Sequence, residues 1–579
     1  MNYRLNTKKS PAKVFFLWCV GRFISRYISG FVFLFLSTFS LLLSAQTVIS
    51  VPSASAVSTA HPLATRVGLD ILQSGGNAFD AAIAVSAVLG VVEPYSSGLG
   101  GGGFWLLYQA STGRSVMLDG REKAPLLATP DMYRMRGKSS LQGGLAAGIP
   151  GVPAALDFLA KHYARLPLKR NLAAAIDYAR EGFFVDRLYV RYGAFRRSCL
   201  LADSEASKIF LRGAQVPHEG ARIIQRDLAE TLEKISALGR KGFYQGSVAE
   251  KLVSGVSKSG GIWTLQDLKD YQVVLRDPVQ GEYRGATITT AALPSSGGIV
   301  LLEILNILKQ YSWESLSPVK RKHVLIEAMR RAYHDRARYL GDSDFIKVPI
   351  KQLLSADYAA GLSAAISLNQ ALPSQFLPGV KRDSQMEGDD TTHFSILDKD
   401  GNRVAATLSI NYPFGACVVP QGTGVLLNDE MDDFVTSQQP NAYGLVGNHS
   451  NAIEPGKRPL SSMTPTFVET DQHVAILGTP GGSRIITSVL LAILDMLEGS
   501  PPEYWVSRAR FHHQYLPDQI FYEEGAFSQT EQQVLEGMGH QFASKPHSIG
   551  NMQAILWDKK HQRVSAASDP SGLGLSLVE

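Results

Sequence analysis

Residues 96–108 read SSGLGGGGFWLLY, with four consecutive glycines (100–103) ahead of five large apolar residues. Glycine lets backbone turn tightly or lie against other backbone. The run Phe104-Trp105-Leu106-Leu107-Tyr108 reads as a buried strand. The chain must therefore build a tight loop that enters a buried strand, and SVMLDGREKAP (115–125) reads as the neighbouring strand and the loop that leaves it.

Helices surround this strand pair in the sequence. ATRVGLDILQSG (64–75) stops at Gly75-Gly76, a good C-terminal signal. NAFDAAIAVSAVLGVVEP (77–94) starts at a candidate Asn77 cap and stops at Pro94. Within 150–290 the stretches GVPAALDFLAKHY, NLAAAIDYAREG and RDLAETLEKISALG are helical in pattern, and strand patterns return near 272–292. Helical patterns follow at 299–311, after the loop LPSSGG, and at 321–339. Residues 365–390 lose periodicity and end in KRDSQMEGDD, an exposed loop.

After 390 the character changes. HFSILDKDGNRVAATLSI (393–410) is a hairpin with its turn at Lys399–Asn402. Strand patterns recur at 465–478, 549–556 and 562–567. GTPGGSRIITSVLLAILDMLEG (478–499) is a glycine loop running into a helix whose apolar face holds Ile485, Ile486, Val489, Leu490, Ile493, Leu494 and Leu497. Strands mixed with many helices indicate a large α+β layered sandwich.

The formal charge of +5 misleads. Residues 1–45 carry six basic residues and no acid, and without them 51 basic residues face 52 acidic ones. The body is near neutral and offers no case for nucleic-acid binding. The basic region followed by FVFLFLSTFSLLLSA (31–45) reads as a signal peptide ending at Ala45. An uncleaved anchor is the alternative, although the apolar run is shorter than the ~20 residues that span a bilayer comfortably. Of three cysteines, Cys19 would leave with the leader, and Cys199 and Cys417 are equally compatible with one bridge or two buried thiols.

The stretch GDDTTHFSI (388–396) sets acids and threonines against the start of a core strand. Asp389, Asp390 and His393, or Asp429, Glu430, Asp432 and Asp433, could be metal ligands, but NDEMDD lacks the EF-hand spacing and solvated acidic loops are common. His512-His513 reads as a structural pair near the surface. Neither GxxxxGK[ST] nor GxSxG occurs.

Several long stretches, in order, are together similar to one family. They are HPLATRVGLDILQSGGNAFDAAIA, GLGGGGF, Asp119-Gly120-Arg121-Glu122, AAGIPGVPA, PSSGG, TTHFSILDKDGN, LLNDEMDDF, GKRPLSS and GTPGGSRII. From about residue 60 to about 570 the chain resembles the gamma-glutamyltransferases (gamma-glutamyltranspeptidases) of the N-terminal nucleophile hydrolase superfamily. The resemblance implies a four-layer α/β/β/α sandwich. It also implies a precursor that cuts itself at Asp390–Thr391, giving a large subunit, 46–390, and a small catalytic subunit, 391–579, intertwined in one globular unit.

Chemistry independent of the family agrees. A threonine hydroxyl is a weak nucleophile, and a free α-amine with a pKa of about 7.7–8.0 beside it can serve as its base. Cleavage would thus create the active site at Thr391. The remaining roles follow from the resemblance. Gly481 and Gly482 would form the oxyanion hole, and Arg121 with Ser461 and Ser462 would hold the substrate α-carboxylate. Asn411, Glu430 and Asp433 would hold the α-amino end. Ser409 would hydrogen-bond the nucleophile, Thr392 would pack or hydrogen-bond beside it as part of the catalytic set, and Tyr443 in YGLVGN (443–448) would be the lid aromatic.

The implied activity needs no metal or organic cofactor. A γ-glutamyl compound such as glutathione would acylate Thr391, and the group would pass to water or to an amino acid or dipeptide acceptor. The expected location is periplasmic or secreted, with no stable membrane span after leader removal. One alternative is a glutaryl (cephalosporin-type) acylase of the same superfamily. Another is an unprocessed, non-catalytic relative acting as a binding protein. Two departures stand out: glutamate at 430, where many bacterial relatives have glutamine, and the tail SDPSGLGLSLVE, which lacks the usual arginine-containing end.

Overall fold

The computed structural model describes residues 51–134, 139–377, 391–435 and 446–579. The leader (1–45), Asp389, Asp390 and Tyr443 lie outside the described residues.

Among the described residues, thirteen strands form the two large antiparallel sheets. They are β1 (Ala56–Thr59), β2 (Gly102–Gln109), β3 (Arg114–Asp119), β4 (Val274–Arg276), β5 (Val279–Tyr283), β6 (Ala286–Thr290), β7 (Thr392–Leu397), β8 (Arg403–Ser409), β9 (Thr466–Glu469), β10 (His473–Gly478), β11 (Gln553–Asp558), β12 (Arg563–Ser568) and β13 (Leu575–Val578). The first sheet runs β13-β1-β7-β8-β2-β3-β4 and the second β12-β11-β10-β9-β6-β5. The strand alternation sorts residues between two cores. In the first sheet Trp105, Leu107, Phe394, Ile396, Val404 and Ala406 join one core, which also holds helices α1 (Pro62–Gln73), α2 (Ala78–Val92), α3 (Val152–His162) and α4 (Leu168–Glu181). Phe104, Leu106, Leu397 and Ala405 face the other way, into a core shared with the second sheet and with helices α5 (Gly297–Leu308), α6 (Pro318–Tyr339) and α7 (Ile485–Leu497). This is the expected α/β/β/α layering.

Local signals explain the elements. Asn77 caps α2 in a full capping box with Asp80, a motif that typically contributes ~1 kcal/mol. The hairpin falls where the pattern placed it, with β7 and β8 joined across residues 398–402. Its register pairs Thr392 with Leu408 and His393 with Thr407, so Thr391 and Ser409 come next as cross-strand neighbours. The C-terminal tail, whose packing the sequence left open, supplies edge strand β13, which pairs with β1.

The glycine run works by backbone proximity. A Cβ on Gly100 would lie 2.0 Å from the carbonyl oxygen of Leu426, and one on Gly101 would lie 2.2 Å from that of Ser409. Side chains there would push β8 and the 426–433 loop away from β2. Cys199 and Cys417 form a disulfide, Cα–Cα 5.8 Å, which decides between the two readings of those residues. His512 and His513 are both buried, and not near the surface as their sequence context suggests. His512 is enclosed by hydrogen bonds to Thr487 and Gln514, because α7 and its own short strand bury the pair.

Candidate active site

Thr391 sits at the mouth of β7, 6% exposed, with its Oγ1 3.4 Å from Ser409 Oγ. Ser409 Oγ also accepts the backbone N–H of Asn411 at 2.8 Å. Asn411 has a φ of +72°, and its side chain donates to the Asp429 carbonyl at 3.1 Å. The end of β8 is thus folded back so that Ser409 and Asn411 share one cavity with Thr391.

That cavity has a volume of about 20 Å³, and its wall includes Arg121, Arg336, Asn411, Glu430, Asp433 and Ser462. Ser461 and Gly482 line it too. Arg121 follows β3 across Gly120. Its carbonyl accepts from Tyr271 Oη at 2.8 Å, and its N–H donates to Asp119 at 2.9 Å. Its guanidinium meets Glu430 at 2.9 Å and Glu122 at 3.6 Å, and also pairs with Asp433. Burial opposes the Arg121 charge, but Glu430, Asp433 and Glu122 outweigh it and hold the pKa above its ordinary value. Burial pushes Glu430 well up and Glu122 to about 8, with Arg121 pulling both down. Three acids around one arginine leave an excess of acceptors, the arrangement an ammonium group needs.

The acidic loop is placed by Asn428. Its side chain donates to the carbonyls of Gly100 (2.6 Å) and Gly148 (2.8 Å), and accepts the Glu430 N–H at 3.0 Å. The PSSGG loop seats the serines: Ser461 N–H donates to the Pro294 carbonyl, and the Ser461 carbonyl accepts from Ser296 N–H. Gly481 and Gly482 have φ values of +132° and +55° and lead through one tight turn into α7. Gly482 lines the small cavity, and Gly481 lines a second cleft of about 740 Å³. Thr391 lies on the walls of both.

Thr392 points the other way, as strand alternation requires. It is fully buried, and its Oγ1 donates to Glu93 Oε2 at 2.8 Å, in the helix layer and not in the small cavity. His393 is buried, bonded to Thr407 at 2.8 Å, and lowered to about 3 by burial, so it is a neutral packing residue. Its ring fills the space over Gly478, where a Cβ would lie 2.2 Å from Cε1.

Two residues near Thr391 escaped sequence reasoning. Glu93, at the end of α2, lines the larger cleft. Arg336, on α6, lines the small cavity. The signal for Arg336 was its place four residues after Ala332 and eight after Ala328, both fully buried, on the apolar stripe of the helix.

Comparison with known proteins agrees with this geometry. The family model described as gamma-glutamyltranspeptidase matches residues 64–577. A glutathione hydrolase proenzyme of Pseudomonas sp. (strain A14) is 44% identical over 86% of this chain and 88% of its own length. The glutathione hydrolase proenzyme of Escherichia coli (strain K12) is 39% identical over 89% of this chain and 90% of its own. Among solved structures, the cephalosporin acylase from Bacillus halodurans superposes with a TM-score of 0.80 at 28% identity, covering 92% of this chain and 97% of that one.

Proposed function

Because the chain belongs to the gamma-glutamyltranspeptidase family, we propose a role for each residue of the site in γ-glutamyl transfer. The protein is a self-processing gamma-glutamyltransferase and glutathione hydrolase. The observation that carries the residue assignment is the meeting of Thr391 with Arg121, Glu430 and Asp433 on the wall of one small cavity.

In maturation the Thr391 hydroxyl attacks the Asp390 carbonyl carbon. The peptide C–N bond breaks as the ester C–O bond forms, and the proton passes to the released Thr391 amine. Water opens the ester, leaving a carboxylate on 390 and a free amine on 391. The products are residues 46–390 and 391–579 once a leader ending at Ala45 is removed, which places the enzyme in the periplasm or outside the cell.

In turnover the Thr391 amine accepts the hydroxyl proton while Oγ1 attacks the γ-amide carbon. The N–H groups of Gly481 and Gly482 meet the developing oxyanion, a contact formed most strongly in the transition state. The C–N bond breaks, the proton goes to the leaving amine, and a γ-glutamyl ester remains. Water or an amino acid or dipeptide amine then attacks the same carbon and regenerates the hydroxyl. Ser409 orients Oγ1. Arg121, Ser461 and Ser462 take the α-carboxylate, and Asn411, Glu430 and Asp433 take the α-ammonium. Tyr443 is assigned to the lid by resemblance.

The similarity to an acylase gives the second reading its force. Glutaryl groups lack the α-amine, so Asn411, Glu430 and Asp433 on the cavity wall would have no substrate ammonium to hold. Steady-state kinetics with γ-glutamyl and glutaryl anilides separates the two: γ-glutamyl turnover should be faster, and faster glutaryl turnover would reverse the assignment.

A further inference from the structure

A cavity of about 1210 Å³ shares no lining residue with either cleft at Thr391. Its wall takes residues from the helices Arg187–Ala202 and Gly246–Lys258, before the 390/391 junction, and from 416–422, after it. Cys199 and Cys417, the two halves of the disulfide, both line it. Cys199 is 9% exposed against 1% for Cys417, so it is the half that a dissolved thiol meets first. Lys251 and Lys258 share the wall with Asp203, Glu205 and Glu250. Charges of both signs suit a zwitterionic peptide, and the lysines favour the thiolate form of an entering thiol.

Cys417 sits on the loop that begins with Asn411. Asn411, Phe414 and Cys417 have left-handed φ values of +72°, +58° and +57°. That conformation is unfavourable for residues with side chains, so the loop keeps its shape through what grips it. One grip is the helix that carries Cys199: Arg196 donates to the Gly415 carbonyl at 2.6 Å and lies over the Tyr412 ring at 5.0 Å, and the bridge adds a covalent tie. The other is the acidic loop. Ala416 N–H donates to the Leu427 carbonyl (2.9 Å), Leu427 N–H to the Val418 carbonyl (3.0 Å) and Asp429 N–H to the Ile410 carbonyl (3.1 Å). A shift at Cys417 therefore reaches Asn411 and Glu430 together.

We propose that Cys199 is a thiol-exchange site: small thiols entering this cavity reduce the Cys199–Cys417 bridge, and its opening loosens the loop that places Asn411 and Glu430. A thiolate attacks Cys199 Sγ, the S–S bond breaks, and Cys417 leaves as a thiolate that takes a proton from water. A second thiolate attacks the incoming sulfur of the mixed disulfide and releases Cys199. Two thiols are oxidised to one disulfide, and the bridge is reduced to two thiols. Glutathione carries a thiol and its hydrolysis releases cysteinylglycine, another thiol, so the reductant belongs to the class this reaction handles. The effect on substrate affinity rests on the γ-glutamyl reading; the exchange at Cys199 does not.

The test uses the matured enzyme purified without thiol. The probe is 2-mercaptoethanol, which is no γ-glutamyl donor and has no amine to act as acceptor. Residues 46–579 hold no other cysteine, so the two sulfurs are read without interference. Millimolar probe under native conditions, followed by acid quenching and alkylation, should give peptides with the adduct on Cys199 and the alkyl label on Cys417. KM for γ-glutamyl anilide should rise about 3- to 10-fold as hydrogen bonds to the ammonium loosen, with kcat within ~2-fold. Reoxidation in air should restore it. Cys199→Ser should show the raised KM from the start and no response to the probe; if it does not mature, reduction of the wild type carries the test. The proposal is overturned if the bridge survives the probe until urea is added, if the adduct falls on Cys417, or if full reduction leaves KM within ~2-fold of the oxidised enzyme. Failure of the oxidised wild type to turn over γ-glutamyl anilide would instead overturn the γ-glutamyl reading, and the peptide readout at Cys199 would still decide the exchange.

Discussion

Replacing Glu93 by glutamine should stabilise the protein in a pH-dependent way. Glu93 is 2% exposed, accepts from Thr392 Oγ1 at 2.8 Å and lies near Asp186. Burial pushes its pKa up from 4.5 to about 8, with the Thr392 bond pulling down and Asp186 pushing up. Between those values the folded chain holds a proton that the unfolded chain has released, so stability falls as pH rises through the window. The penalty is absent well below pH 4.5, grows by ~1.4 kcal/mol per pH unit, and levels off above about pH 8. That amounts to about 1 kcal/mol at pH 5, about 3 at pH 7 and on the order of 5 at pH 9. Glutamine keeps an acceptor for Thr392 and cannot ionise, so Glu93→Gln should gain these amounts over wild type. Urea unfolding of both proteins at the three pH values measures the difference. A gap independent of pH, or a variant less stable at pH 9 than wild type, would refute the reasoning.

Three further outcomes are expected. Ser409→Ala should slow γ-glutamyl turnover about 10-fold and slow maturation, since it removes the neighbour of Thr391 and strands the Asn411 N–H; single-turnover kinetics and a maturation time course read both. Glu430→Gln should raise KM for γ-glutamyl anilide about 3- to 10-fold with kcat little changed, because one acid facing the ammonium is lost while Asp433 still pairs Arg121; a kcat fall without a KM change would contradict the assignment. The Cys199–Cys417 bridge joins residues on opposite sides of the 390/391 junction, so the two matured chains should run as one species on a non-reducing gel and separate on reduction; two bands without reductant would contradict it.

Much of the site was readable because it depends on local periodicity. The period of two and the five-residue turn (398–402) set Thr391 opposite Ser409 and send Thr392 to the other face. The glycine run is required by the backbone of β8 and of the acidic loop, contacts between distant segments that the sequence signals only as a need for closeness. The roles of Arg121, Glu430 and Asp433 came from family likeness, since spacing alone does not bring residues over 300 positions apart together. Arg336 was hidden among Arg330, Arg331 and Arg338 on the same helix, which gave no local reason to single it out. Pairing of Cys199 with Cys417 depends on a tertiary approach that no local pattern encodes. The tail strand β13 finds its partner in β1, at the opposite end of the described chain.

The central claim is that the chain becomes an enzyme by making Thr391 a terminus. Intact mass analysis of the purified, reduced protein addresses it directly, with Thr391→Ala alongside. The account predicts a chain of residues 391–579 beginning at threonine, together with its larger partner ending at Asp390, and a single uncut chain for Thr391→Ala. A wild-type protein that stays one chain while turning over γ-glutamyl substrates, or a cut at another bond, would contradict it.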